Sequence, residues 1–87
     1  MNNADDRQTA IAFLRKHFIK SDVKLCSLSS YYLKHILQYS TNVYMTEPRF
    51  IGLMNELGYE RNAKGKWKMR LSPQISKFIK DWERGVV

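Results

Sequence analysis

The 87-residue chain is 44% hydrophobic and 13% aromatic, which excludes a disordered tail and leaves room for one domain around one small core. Its longest uninterrupted apolar run, Ala10 to Leu14, is far short of a membrane span, and no basic-then-apolar leader opens it, so a soluble, cytoplasmic protein without membrane partners is expected. Fifteen Lys and Arg against eight Asp and Glu give a net charge of +7, which points to a polyanionic partner, nucleic acid ahead of acidic membrane or acidic protein.

Residues 1 to 4 are expected to be disordered. A first helix follows from Asp5 and Asp6, whose charges suit the positive end of a helix dipole. Ile11, Leu14 and Phe18, widened by Ala10 and Phe13, give it a buried stripe running to about Lys20. Val23 to Cys26 alternates as a short strand would. Ser27, Ser29 and Ser30 offer N-caps for a second helix over Tyr31 to Tyr39, with Leu33, Ile36 and Leu37 buried, and Ser40-Thr41-Asn42 ends it. A third helix opens with Thr46 as cap, Glu47 and Pro48 in the first turn, and Met45 stapled onto Phe50. Phe50, Leu53, Met54 and Leu57 form its core face, Gly58 sits at a left-handed C-cap, and Arg49, Gly52, Asn55 and Glu56 take the outer face.

Tyr59-Glu60-Arg61 and Lys66 to Leu71 flank the turn-rich Asn62-Ala63-Lys64-Gly65, the pattern of a β-hairpin. Strand alternation sends Trp67, Met69 and Leu71 inward and Lys66, Lys68 and Arg70 outward as a ladder of cations. This region owns the whole charge imbalance: Arg61, Lys64, Lys66, Lys68, Arg70, Lys77 and Lys80 have no acid among them, while the rest of the chain carries equal numbers of each sign. Ser72-Pro73 then starts a final amphipathic helix with Ile75, Phe78, Ile79 and Trp82 on its core side. No repeat or linker suggests a second domain.

Catalysis finds no support. Cys26 is the only cysteine and reads as a small buried hydrophobe. His17 and His35 read as helix-surface residues, with no ligand set for a metal beside them. No nucleophile-base pair, phosphate-cradling glycine loop or metal cluster is present in the sequence, so a non-enzyme without cofactors is expected.

The order helix, short strand, helix, helix, basic hairpin, helix matches an α+β winged helix-turn-helix: three N-terminal helices, a small antiparallel sheet with a basic hairpin wing, and an extra C-terminal helix. The run Phe50-Ile51-x-x-Met54-x-x-Leu57-Gly58-Tyr59, followed by Gly65-Lys66-Trp67-Lys68-Met69-Arg70-Leu71, resembles the winged-helix module at the C-terminal end of viral and satellite-phage primase-helicases. Ser29 to Ile36 is similar to a stretch in small basic proteins of bacterial mobile elements. The resemblance spans residues 29 to 71 and implies binding without chemistry, as an accessory or regulatory factor in mobile-element replication or transcription.

In such domains the third helix enters the major groove and the wing lies on backbone or minor groove. Arg61, Lys64, Lys66, Lys68 and Arg70 would then contact phosphates, and Arg49 and Asn55 are the helix-three side chains suited to guanine and adenine edges. Glu56 beside them departs from a reading face and weighs against duplex sequence specificity. Tyr31, Tyr32, Tyr39 and Tyr44 offer rings on which unpaired bases could stack, so the expected partner, DNA ahead of RNA, is duplex or single-stranded. The competing class is a protein-binding module, in which the second helix or the Phe78 and Trp82 face holds a replication or regulatory protein, or an inhibitor acts on one. An exposed apolar patch larger than a few hundred Å² would favour that class.

Overall fold

The computed structural model describes residues 3–83 and Gly85. Four helices and two strands follow one another as α1 (Asn3–His17), β1 (Phe18–Lys20), α2 (Ser30–Thr41), α3 (Glu47–Glu56), β2 (Met69–Leu71) and α4 (Pro73–Glu83). The disorder expected of residues 1 to 4 falls partly outside the described residues, while Asn3 and Ala4 already belong to α1.

The first helix stops at His17, three residues before the expected end, because Phe18, Ile19 and Lys20 leave the helix to pair antiparallel with β2. Phe18 stands opposite Leu71, Ile19 opposite Arg70 and Lys20 opposite Met69. Helical and extended readings both bury Phe18, so the apolar stripe alone does not separate them. The break is held by Tyr59, whose buried hydroxyl lies 2.9 Å from the Leu14 carbonyl and 2.5 Å from that of Phe18. The strand expected over Val23 to Cys26 is an irregular loop instead. Ser21 Oγ accepts from the N–H groups of Val23 and Lys24 and turns the chain, leaving Val23 and Leu25 exposed. Cys26 alone of that stretch is buried, and its N–H donates to the Trp67 carbonyl at 2.8 Å.

Helix boundaries follow the caps the sequence offers. Ser29 Oγ accepts from the Tyr32 N–H to start α2, and Asn42 ends it in the left-handed conformation at φ 63°. Thr46 caps α3 in the same way through the Arg49 N–H. Beyond α3 the N–H of Tyr59 reaches back to the Met54 carbonyl across Gly58, whose φ of 91° suits glycine. Lys20 Nζ donates to the Leu57 carbonyl at 2.6 Å, placing a cation at the negative end of α3.

The expected hairpin forms, with a ladder shorter than the pattern suggested. Arg61 and Trp67 make its one β-bridge, the Lys68 N–H donates to the Glu60 carbonyl, and the Ser21 N–H donates to the Lys68 carbonyl. The segment 66–71 therefore changes partner near its middle. Its backbone turns tightly at Lys68, where the Met69 N–H meets the Trp67 carbonyl. Toward the turn it pairs with 60–62, and past the bend it pairs with β1.

Leu14, Phe18, Leu33, Ile36, Leu37, Phe50, Met54, Trp67 and Met69 are fully buried and make one core shared by α1, α2, α3 and the sheet. The final helix closes it with Ile75 and Ile79. Its Trp82 ring meets Tyr39 at 4.9 Å, Tyr32 at 5.5 Å and Phe78 at 6.0 Å between centroids, so α4 packs on α2 through aromatic contacts.

Candidate nucleic-acid interface

Trp67 is the platform on which the hairpin stands. Its indole N–H donates to Ser30 Oγ at 3.0 Å, and the Arg61 guanidinium lies over its ring, 5.1 Å from the centroid. Arg61 helps to seal the indole from water while remaining exposed itself. The turn beyond is set by Asn62, whose side-chain oxygen accepts from the N–H groups of Lys64 and Lys66, while Gly65 supplies a φ of 81°. That geometry holds Lys64 and Lys66 at an exposed tip.

Trp67 and Met69 face inward as alternation requires, but the cation ladder is not uniform. Lys66 and Arg70 are exposed, whereas Lys68 is half-exposed and its ammonium lies 3.9 Å from a Glu60 carboxylate oxygen. Arg61, Lys64, Lys66 and Arg70 carry no ion pair with any acid among the described residues. Arg61, Lys64 and Lys66 on the hairpin, with Arg70 past the bend in β2, put four unpaired and exposed cations within ten residues of chain.

The two readers proposed on α3 face different clefts. Asn55 shares an open cleft of about 750 Å³ with Arg61, Asn62 and Gly65, so the structure brings it to the hairpin. Arg49 lines a second groove of about 460 Å³ with Arg7, Tyr44, Gly52 and Glu56. Six residues along a helix place the two about 120° apart in projection. Glu56, the acid on the outer face, is paired with Arg7 of α1. Its charge is thereby offset by a residue the sequence pattern did not connect to it.

Two other expectations change. His17 is not a free surface histidine: its Nδ1 lies 2.7 Å from Ser72 Oγ, and the Ser72 N–H donates to its carbonyl. Burial, followed by the nearby Lys16, lowers its pKa from the ordinary value. The Phe78 and Trp82 face considered for a protein partner is turned toward α2 and is half-buried. Cys26 behaves as read, since burial raises the pKa of its thiol and keeps it protonated.

Sequence reasoning missed Lys34. Its side chain is buried to 7% exposure on α2, and its ammonium lies 5.1 Å from the Tyr31 ring centroid and 5.4 Å from that of Tyr44. The Tyr31 to Lys34 spacing of one helical turn is visible in the sequence. The approach of Tyr44 from the loop beyond α2 is not. Comparison of the chain with protein-family models, with curated proteins and with solved structures gave no match. Among the described residues no helix is long and apolar enough to cross a membrane.

Proposed function

We propose that the chain is a winged-helix nucleic-acid-binding domain that acts by binding duplex DNA without chemistry, with 60–71 as its wing and α3 as the helix laid against the groove. The connectivity supports this reading. The segment 66–71 lies between β1 on one side and 60–62 on the other, immediately after two helices joined by a short turn, as a wing does. The observation that carries it is the set of four exposed cations, Arg61, Lys64, Lys66 and Arg70, none with an acid partner among the described residues. Phosphate contacts of this kind supply affinity that falls with salt and is blind to sequence. Asn55 and Arg49 contribute base contacts only one at a time, because their clefts diverge. The resemblance of 29–71 to modules of mobile elements supports an accessory or regulatory role for this binding in replication or transcription of such an element. Replacing Lys64, Lys66 and Arg70 together by Ala tests the wing: affinity for every duplex should fall alike and the salt dependence should flatten by about one unit of log–log slope per cation. Unchanged affinity rejects the wing as the contact surface.

A further inference from the structure

A lysine buried to 7% exposure ordinarily meets a carboxylate, yet Lys34 has no ion pair and no hydrogen bond to protein among the described residues. Its neighbours are instead the ring faces of Tyr31 and Tyr44, at 5.1 and 5.4 Å from ammonium to centroid. The cation–π contacts hold the ammonium beside both rings, and since no fully buried polar side-chain atom lacks a hydrogen-bond partner among the described residues, the ammonium itself keeps contact with solvent. The rings themselves stay open to solvent, with Tyr31 58% and Tyr44 67% exposed. His35 meets Tyr31 edge to face at 4.5 Å, so the Tyr31 ring is braced by a second neighbour. Core packing accounts for Tyr32 through Trp82, but no core contact accounts for the positions of Tyr31 and Tyr44.

We infer that Tyr31, Lys34 and Tyr44 form a seat for an unpaired nucleotide, with a base stacked on a tyrosine ring and its phosphate drawn to the Lys34 ammonium. The chemistry matches on both counts: stacking on exposed rings is tolerant of base identity, and a lysine is a compact point charge for phosphate. Position adds a third argument. Tyr44 also lines the groove that holds Arg49 and Gly52, so the seat is continuous with the outer face of α3. A single strand leaving a duplex on that face would meet Tyr44 first. The inference rests on the nucleic-acid reading but not on the wing, and it gives the domain a preference for duplex that ends in a single-stranded tail.

The test measures binding of the full chain, by fluorescence anisotropy, to a blunt DNA hairpin, to the same hairpin carrying an oligo-dT tail, and to oligo-dT and oligo-rU alone. The tail should tighten wild-type binding by about 5-fold or more, the low end of what stacking one base on one aromatic side chain supports. Tyr31→Leu should abolish that gain and leave blunt-hairpin affinity unchanged, Tyr44→Leu should abolish the gain whatever its effect on the blunt hairpin, and Tyr31→Phe and Tyr44→Phe should keep it. Lys34→Met, which retains the buried stem without the charge, should reduce the gain and weaken its salt dependence. Urea midpoints of the phenylalanine variants should match the wild type, and those of the leucine variants should fall only slightly for the lost cation–π contact while far-ultraviolet circular dichroism shows the folded chain, so lost binding is not lost folding. A gain below about twofold in the wild type, or one that survives both leucine variants, overturns the seat. Binding to oligo-dT that depends on the two tyrosines, without any blunt-hairpin binding, upholds the seat and rejects the wing. Oligo-rU bound more tightly than oligo-dT, again through the tyrosines, upholds it with RNA as the source of the nucleotide.

Discussion

Replacing Tyr59 by Phe removes one oxygen atom from the point where α1 ends and β1 begins. The residue is 4% exposed, and its hydroxyl reaches the carbonyls of Leu14 and Phe18. One phenol carries one proton, so it donates to one of these carbonyls at a time and polarises the other. Without it at least one buried carbonyl loses its donor, at a cost of about 1–3 kcal/mol. The ring stays, so no cavity term is added. A domain of this length holds roughly 4–13 kcal/mol in all, and a loss of that size lowers its melting temperature by roughly 5–20 °C. Urea unfolding followed by far-ultraviolet circular dichroism would read the change directly. Burial, opposed weakly by Arg15, also raises the pKa of this phenol. The unfolded chain therefore loses the proton first, and the stability Tyr59 contributes is complete below about pH 10 and declines as pH rises above it. The Phe variant should show less of that alkaline decline. A midpoint equal to wild type would refute the claim that this hydroxyl secures the helix-to-strand break.

The hairpin cations are not equivalent: Lys66→Ala should weaken duplex binding more than Lys68→Ala, because Lys68 already faces Glu60, and equal losses in an anisotropy titration would contradict that distinction. Gly58→Ala should cost about 1–2 kcal/mol by urea unfolding, since φ is 91° and an added Cβ would stand 2.9 Å from Lys20 Nζ; a neutral result would mean that Lys20 gives way and the backbone relaxes. His17 has a lowered pKa, so the unfolded chain protonates first, near pH 6.5, and stability should be complete above that value and decline as pH falls through it. His17→Gln should flatten the difference in urea midpoint between pH 7.5 and pH 5, and a wild-type midpoint that rises from pH 7.5 to pH 5 relative to the variant would contradict the sign.

Element order and caps were legible because they rest on local chemistry. Ser29, Thr46, Pro48 and Gly58 act within a few residues of themselves, and each does so where its type requires. Trp67 and Met69 were legible from strand parity. The end of α1 was not, since Phe18 fits either period and the deciding contacts come from Met69 to Leu71 and Tyr59, more than forty residues away. The same distance hid the candidate site's electrostatics. The composition of the hairpin gave its charge, but the Glu60 partner of Lys68 and the Arg7 partner of Glu56 depend on tertiary placement. Divergence of Arg49 and Asn55 could have been read from helical geometry alone. Lys34 could not, because half of its aromatic surround arrives from a loop.

On the proposed function, the cations of 61–70 meet nucleic-acid phosphates. Anisotropy titration of the full chain against a labelled mixed-sequence duplex across a series of salt concentrations tests it most directly. Four cations engaging phosphates should give a log–log slope of about −3 to −4, with little difference between sequences. Absence of binding at low salt, or binding that salt does not weaken, would contradict the account and leave the basic hairpin as a solvated surface.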